Sequence, residues 1–202
     1  MAHDDAGAFT VRAAPSAAGL PAELLARAHV RLNGDVNEQM FNQFDAQLQA
    51  ARDAETVVVE LTTCGGGAET GRRIAEDIRL LRRDGARRVL FLGKTVVYSA
   101  GVTIMSAFPR QDRYLTRDTV LLIHGRRMNR QVQLSGPLRA SAQVAREVLA
   151  EIEFGLELER RGFTALVEGS DVDVEECCER ATSNWYVTAE MALERGLVAG
   201  LI

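Results

Sequence analysis

At 202 residues the chain can bury one full core and leaves little for a second domain. Its 47% apolar and 26% charged residues exclude a disordered class, and a net charge of −4 argues against nucleic acid as the main partner. No apolar stretch approaches the ~20 residues a bilayer span needs, and the acidic start Met1-Ala-His-Asp-Asp5 lacks a signal-peptide pattern. Three cysteines, with Cys177 and Cys178 adjacent, imply no disulfide framework, so the expected setting is the cytoplasm, away from any membrane.

Residues 1–22 are rich in Ala, Gly and Pro without a hydrophobic period, and read as a flexible arm ahead of one domain over 23–202. Leu24 to His29 predicts a short helix and Val30 to Leu32 a first strand. Gly34-Asp35 turns the chain, and Asn37 is placed to cap a helix to about Arg52 with Met40, Phe41, Phe44 and Leu48 on one face. Thr56 to Leu61 reads as a strand, Thr62 to Gly67 as a glycine-rich loop, and Ala68 to Arg83 as a helix with Ile74, Ile78 and Leu81 inward. Val89 to Leu92 and Thr95 to Tyr98 continue the sheet, with a bulge expected at Gly93. Val102 to Phe108 reads as a buried helix and Thr119 to Ile123 as a buried strand that ends in His124. Strand and helix alternate at βαβ spacing, which favours an α/β fold with parallel strands.

After His124 the character changes. Gly125 to Arg130 is a basic loop, and Gln131 to Gly136 reads as extended. Leu138 to Arg161 predicts one long helix with a stripe of Ala145, Val148, Leu149, Ile152 and Leu156. That stripe is long for a helix packed only on its own small domain, so a subunit interface is expected. A helix over Val172 to Thr182, a strand at Tyr186-Val187, a helix capped by Thr188 and a last strand from Leu197 to Ile202 complete the chain.

Two strand ends carry the candidate chemistry. Ser99 sits where a β-branched run turns into a helix through Ser-Ala-Gly, at a helix N-terminus whose free N–H groups can support an anion. A serine hydroxyl needs a base within hydrogen-bond reach, and His124 offers an imidazole that titrates near neutral pH. The other histidines, His3 and His29, fall in the arm and before the first strand. The competing reading makes Ser99 a small corner residue and His124 a strand-end histidine bonded to a carbonyl. Val97 occupies the first glycine position of Gly-x-Ser-x-Gly, which disfavours an α/β-hydrolase elbow. The loop Thr62 to Gly67 lacks the Gly-Lys-Ser/Thr ending of a phosphate-binding loop. No metal or organic cofactor is implied.

Five segments, in order, resemble a known family. Val30-Arg-Leu-Asn-Gly-Asp-Val-Asn37 is similar to its first strand and turn, and Thr62-Thr-Cys-Gly-Gly-Gly67 stands where it has Asn-Ser-Pro-Gly-Gly. Tyr98-Ser-Ala-Gly101 matches its Ser-Met-Gly turn, and Leu122-Ile-His124 its histidine strand end. The stretch from Tyr186 to Val198 resembles its closing Phe-x-Ser/Thr-Ala-x-Glu-Ala-x-Glu-Tyr-Gly-Leu-Val/Ile. The chain thus resembles the proteolytic subunit of the Clp protease, ClpP, within the crotonase-like superfamily, from about His29 to Ile202.

The resemblance implies a crotonase-like ββα superhelix with a protruding handle helix, and peptide-bond hydrolysis by a serine protease mechanism. It makes Ser99 the nucleophile, His124 the base, and the N–H groups of Gly66 and Ala100 the oxyanion donors. It sets Arg126 and Arg127, with Arg130, where related proteases bind substrate as an added strand. It also implies a peptide or unfolded-protein substrate, a homo-oligomer of seven-membered rings meeting through the long helix, and a Clp ATPase as partner. At the position of the family's catalytic aspartate this chain has Asn184. An amide oxygen can hold the His124 ring but cannot balance the imidazolium charge. Cys64 likewise replaces the family's loop proline.

Two other readings remain open at this level. One is a catalytically weak or inactive paralogue with a structural role in a ring, which Asn184 supports. The other is a crotonase-like enzyme acting on an acyl-CoA thioester, which would share the oxyanion loop but relies on Glu or Asp rather than a Ser-His pair. Lys94, the single lysine, lies five residues before Ser99, and a Ser-Lys dyad occurs in related signal-peptide peptidases. Nothing in the spacing places its amine on Ser99, so it reads as a surface lysine.

Overall fold

The fold is that of a computed structural model, which describes residues 22–83, 85 and 87–202. The arm expected over residues 1–22 lies outside these, except that Ala22 opens the first helix, α1 (Ala22–Ala26). Strand β1 (Val30–Asn33) follows, then helix α2 (Glu38–Ala50), strand β2 (Thr56–Thr63) and helix α3 (Ala68–Arg83). The expected cap forms: the Asn37 side chain accepts the Met40 N–H at 3.0 Å, and Met40, Phe41 and Phe44 are buried. Strand β3 (Arg88–Tyr98) runs into helix α4 (Ala100–Met105), and a single 3-10 turn leads to strand β4 (Arg113–Leu115), which the sequence pattern does not announce. Strand β5 (Val120–Ile123), helix α5 (Leu138–Val167), helix α6 (Val174–Ala181), strand β6 (Trp185–Thr188), helix α7 (Ala189–Glu194) and strand β7 (Gly200–Leu201) complete the order.

The seven strands form one sheet with the path β1-β2-β3-β4-β7 and a branch in which β5 pairs with β3 and β6 with β5. Every pairing is parallel except β5–β6, as expected where helices join successive strands. The branch arises in β3, whose first half pairs with β4 and whose second half pairs with β5. Between Leu61 and Thr63 of β2 the partner moves from Gly93 to Val97, so β3 carries extra residues. Thr95 takes a positive φ of 56° within that bulge. The expected bulge therefore exists but lies just beyond Gly93. Gly93 itself stays in register, because a Cβ there would stand 2.6 Å from Leu115 Cδ2.

The main core lies between the sheet and the inner faces of α2, α3 and α4, with Ile74, Ile78, Ile104 and Phe108 among its fully buried side chains. Helix α5 behaves differently. It extends past the expected end at Arg161 to Val167, and only Phe163, Leu166 and Val167 in its last turns are buried. Leu149, Ile152, Phe154 and Leu156 are exposed, so most of the helix stands out from the body as a handle. Residues 131–136, expected to be extended, join no strand. No helix among the described residues is long and apolar enough to cross a membrane.

The base of that handle is tied down by Arg113, a residue only 1% exposed. Its guanidinium donates to the carbonyls of Phe108, Ala165, Leu166 and Leu197. Two of these belong to the last turn of α5, where carbonyls lack partners within the helix. Burial, reinforced by the nearby charge of Arg82 and opposed by Glu168, pushes the Arg113 pKa down to about 10, which still leaves it charged at neutral pH. Replacing Arg113 by Ala strands four carbonyls at once, three of them in buried contacts, and is expected to cost at least ~3 kcal/mol. Urea unfolding followed by tryptophan fluorescence from Trp185 measures it, and a loss under ~1 kcal/mol would refute the anchoring role.

Candidate active site

Ser99 is held at the corner between β3 and α4. Its backbone takes φ 55° and ψ −113°, a conformation that non-glycine residues seldom adopt. The corner is fixed on both sides: the Ser99 N–H donates to Leu122 O at 2.8 Å, and its carbonyl accepts from Val102 and Thr103 at the start of α4. Small residues around it are a steric requirement. A Cβ on Gly65 would lie 2.9 Å from Ser99 Cβ, and one on Gly101 would lie 2.5 Å from Thr63 Cγ2.

The loop after β2 is locked against the turn after β1. Val36 donates to Gly65 O at 2.8 Å and accepts from the Gly67 N–H at 2.7 Å. Thr63 Oγ1 accepts the Gly65 N–H at 3.0 Å. Gly66, at φ 142°, has no room for a side chain, since a Cβ would sit 2.5 Å from Val36 O. The N–H groups of Gly66 and Ala100 have no acceptor among the described residues. Both residues line the same cleft as Ser99.

That cleft, about 720 Å³, also takes in Cys64, His124, Gly125, Arg126, Arg127 and Glu159. Six of the residues expected at the site, Ser99, His124, Gly66, Ala100, Arg126 and Arg127, are thus brought together from three separate segments. Arg126 pairs with Glu69 in the first turn of α3, and Arg72 binds the same carboxylate. Although burial opposes ionisation, the two guanidiniums hold the Glu69 carboxyl below its usual range. Arg130 pairs instead with Glu151 on the handle, outside the cleft, and Lys94 is bound to Glu60 at 2.7 Å.

His124 Nδ1 lies 2.7 Å from Gly125 O. A carbonyl can only accept, so Nδ1 carries the proton and Nε2 of the neutral ring has a free lone pair. Asn184 makes no hydrogen bond to His124 among the described residues, and neither does Ser99. Asn184 is not among the residues lining the cleft. Strands β5 and β6 pair Leu122 with Tyr186 and Ile123 with Trp185, and the pairing ends there, with His124 and Asn184 each one position beyond the last pair. Asn184 is exposed and takes a positive φ of 60°.

One contact at this site has no signature in the sequence. A carboxylate oxygen of Glu159, on the handle helix, accepts the N–H of Arg126, and the same residue packs against Gly125. Residues 33 positions apart meet only because the base of α5 folds back over the strand end.

With the geometry in place, comparison with known proteins is decisive on one point. The family model for Clp protease matches residues 14–202. The chain belongs to the Clp protease family. It is 24% identical over 183 residues to the ATP-dependent Clp protease proteolytic subunit 3 of Rhizobium etli, covering 90% of this chain and 87% of that protein. It is 25% identical over 175 residues to the corresponding subunit 2 of Pseudomonas aeruginosa, covering 86% and 80%. Among solved structures, an Asn-to-Asp variant of ClpP1 from Listeria monocytogenes matches with a TM-score of 0.67 at 18% identity, over 90% of this chain and 94% of that one. The fold is therefore the ClpP fold, with α5 as its handle. The Clp protease family is one of peptidases, and ClpP-family proteins generally form oligomeric rings.

Proposed function

We propose that this chain is a serine-type peptidase subunit that cleaves peptide bonds by acyl transfer. The observation that carries the reading is a shared cleft: Ser99, His124 and the two unengaged N–H groups of Gly66 and Ala100 meet there, in a chain of a peptidase family. Ser99 Oγ attacks the scissile carbonyl carbon while its proton passes to His124 Nε2. The carbonyl oxygen, now an oxyanion, accepts from the Gly66 and Ala100 N–H groups. The C–N bond then breaks as His124 returns the proton to the leaving amine, and water, deprotonated by the same imidazole, releases the acyl group from Ser99. Arg126 and Arg127 flank the path of an extended peptide. Asn184, one position beyond the last β5–β6 pair, is read as the third member from the family resemblance.

The substrate in this reading is a peptide or unfolded protein. The exposed apolar face of α5 supports a homo-oligomer, read as seven-membered rings meeting handle to handle, with a Clp ATPase as partner. A second reading is a subunit with a structural rather than a catalytic role. Asn184 and the absence of a Ser99–His124 hydrogen bond among the described residues favour it. In peptidase sites such bonds commonly tighten only when substrate is bound, which is why the catalytic reading stands first.

Labelling with a fluorophosphonate probe separates the two. The adduct is expected on Ser99 alone, and neither Ser99→Ala nor His124→Ala should label. An adduct on Ser106, or none on the assembled protein, decides for the structural reading.

Assembly has its own test. Light scattering at micromolar concentration is expected to report a ring, and Ile152→Glu, on the exposed face of the handle, to break it while circular dichroism stays unchanged. A wild-type particle of 22.1 kDa would rule out the ring.

The Asn184→Asp change is nearly isosteric and places a carboxylate one position beyond the strand pairing that ends beside His124. In a serine protease whose triad aspartate bonds the histidine directly, the reverse change costs about 10⁴ in kcat. The gain here is expected to reach ~10²-fold or more in kcat/KM on small fluorogenic peptides, at about tenfold per 1.4 kcal/mol of barrier. No gain in a properly assembled variant would remove Asn184 from the site.

A further inference from the structure

We propose that Glu159 supplies the negative charge that Asn184 does not, and that it acts on His124 through a single peptide plane. The inference rests on the reading of Ser99 and His124 as a hydrolytic pair. The Gly125–Arg126 peptide bond is engaged on both sides. Its carbonyl, Gly125 O, accepts from His124 Nδ1 at 2.7 Å, and its N–H, that of Arg126, donates to the Glu159 carboxylate. The chain of contacts runs from imidazole Nδ1–H to peptide oxygen, and from peptide N–H to carboxylate.

Hydrogen bonds in series polarise one another. A carboxylate on the N–H side of an amide draws positive charge toward that hydrogen and leaves its oxygen a better acceptor. Gly125 O thereby holds the Nδ1 proton more firmly and favours the imidazolium that forms when Nε2 takes the Ser99 proton. The proton stays on Nδ1 throughout, so no bond is made or broken along the relay. Glu159 is a positioning residue, not a catalytic one.

Three further observations point the same way. Glu159 has no ion-pair partner among the described residues, while the next two residues on α5 do: Arg160 pairs with Glu175 and Arg161 with Glu157. Its charge is therefore directed at the peptide and not neutralised by a cation bonded to it. Position 125 is also tightly fitted, because a Cβ on Gly125 would lie 3.2 Å from Glu159 Oε2. Finally, the thiols of Cys177 and Cys178 on α6, both raised by burial and by the charge of Glu159, add no competing charge. Burial, with Cys178, Glu176 and Glu159 adding, pushes Cys177 up to about 12 and keeps it neutral.

The relay also gives the handle a direct line to the chemistry, since Glu159 belongs to α5. A rotation of α5 would move the carboxylate off the Arg126 N–H without touching Ser99.

Glu159→Gln and Glu159→Ala separate charge from scaffolding. Glutamine keeps an oxygen for the Arg126 N–H and the same length, but carries no charge. A purely structural clamp predicts wild-type kcat in the Gln variant and loss only in the Ala variant. The relay predicts that Gln lowers kcat, and the rate of phosphonate labelling at Ser99, by about 10- to 100-fold with KM unchanged. That effect is smaller than the ~10⁴ seen where the acid touches the histidine directly. Light scattering and thermal melting on each variant keep assembly and folding out of the comparison. Wild-type kcat and labelling in Glu159→Gln would overturn the relay and leave the peptidase reading intact. No labelling of Ser99 in the wild-type protein overturns both.

Discussion

Strand β3 has to serve two neighbours, and the bulge opposite Thr62 is what allows it. Two residues of β2, from Leu61 to Thr63, span the same rise as four of β3, from Gly93 to Val97. The excess turns the strand, so its first half stays with β4 and its second half is free to pair with β5. The carbonyls exposed by this disruption are reclaimed. Gly93 O accepts from Thr116 and Thr119, and Lys94 O accepts from Thr62 Oγ1. Without the second pairing, Ser99 at the end of β3 and His124 at the end of β5 would belong to different parts of the molecule. With it, the Ser99 N–H is bonded to Leu122 O, two residues before His124.

A second tie holds the handle to this frame. Arg113 gathers carbonyls from the segment after α4, the end of α5 and the stretch before β7, so three distant parts of the chain share one buried cation. The helix C-terminus is a favourable place for such a charge, because its unpaired carbonyls are the negative end of the helix dipole. The handle can then project most of its length while its base stays registered to the cleft. Glu159 lies near that base, within reach of the loop that follows His124. Projection and contact with the cleft are properties of one helix.

The site is a set of backbone constraints more than a set of side chains. Gly65, Gly66 and Gly101 are required by close approach, and Ser99 is held at a positive φ by bonds on both of its sides. The cleft therefore presents two unengaged N–H groups in fixed positions, which is what the proposed oxyanion role requires. The histidine is held in the same manner, by a backbone carbonyl and not by a carboxylate.

Most of this frame was legible in the residues. The β-branched runs, the Asn37 and Thr188 caps, the glycine loop and the serine corner are local features, decided by side-chain shape and hydrogen bonding within a few positions, so sequence alone determines them. The exposed stripe on the long helix is local as well, since periodicity defines it. What sequence could not determine is whatever depends on two distant segments meeting. Strand β4 is only three residues long and owes its existence to neighbours on both sides. The bulge was misplaced by a few residues because glycine at 93 marks a tight contact with Leu115 and not the irregularity itself. The partner of His124 Nδ1 and the approach of Glu159 to the Arg126 N–H were likewise settled by tertiary structure, because a carboxylate 33 residues along a helix leaves no pattern at the histidine. Local chemistry wrote the elements and the serine corner, and long-range packing decided which charges face them.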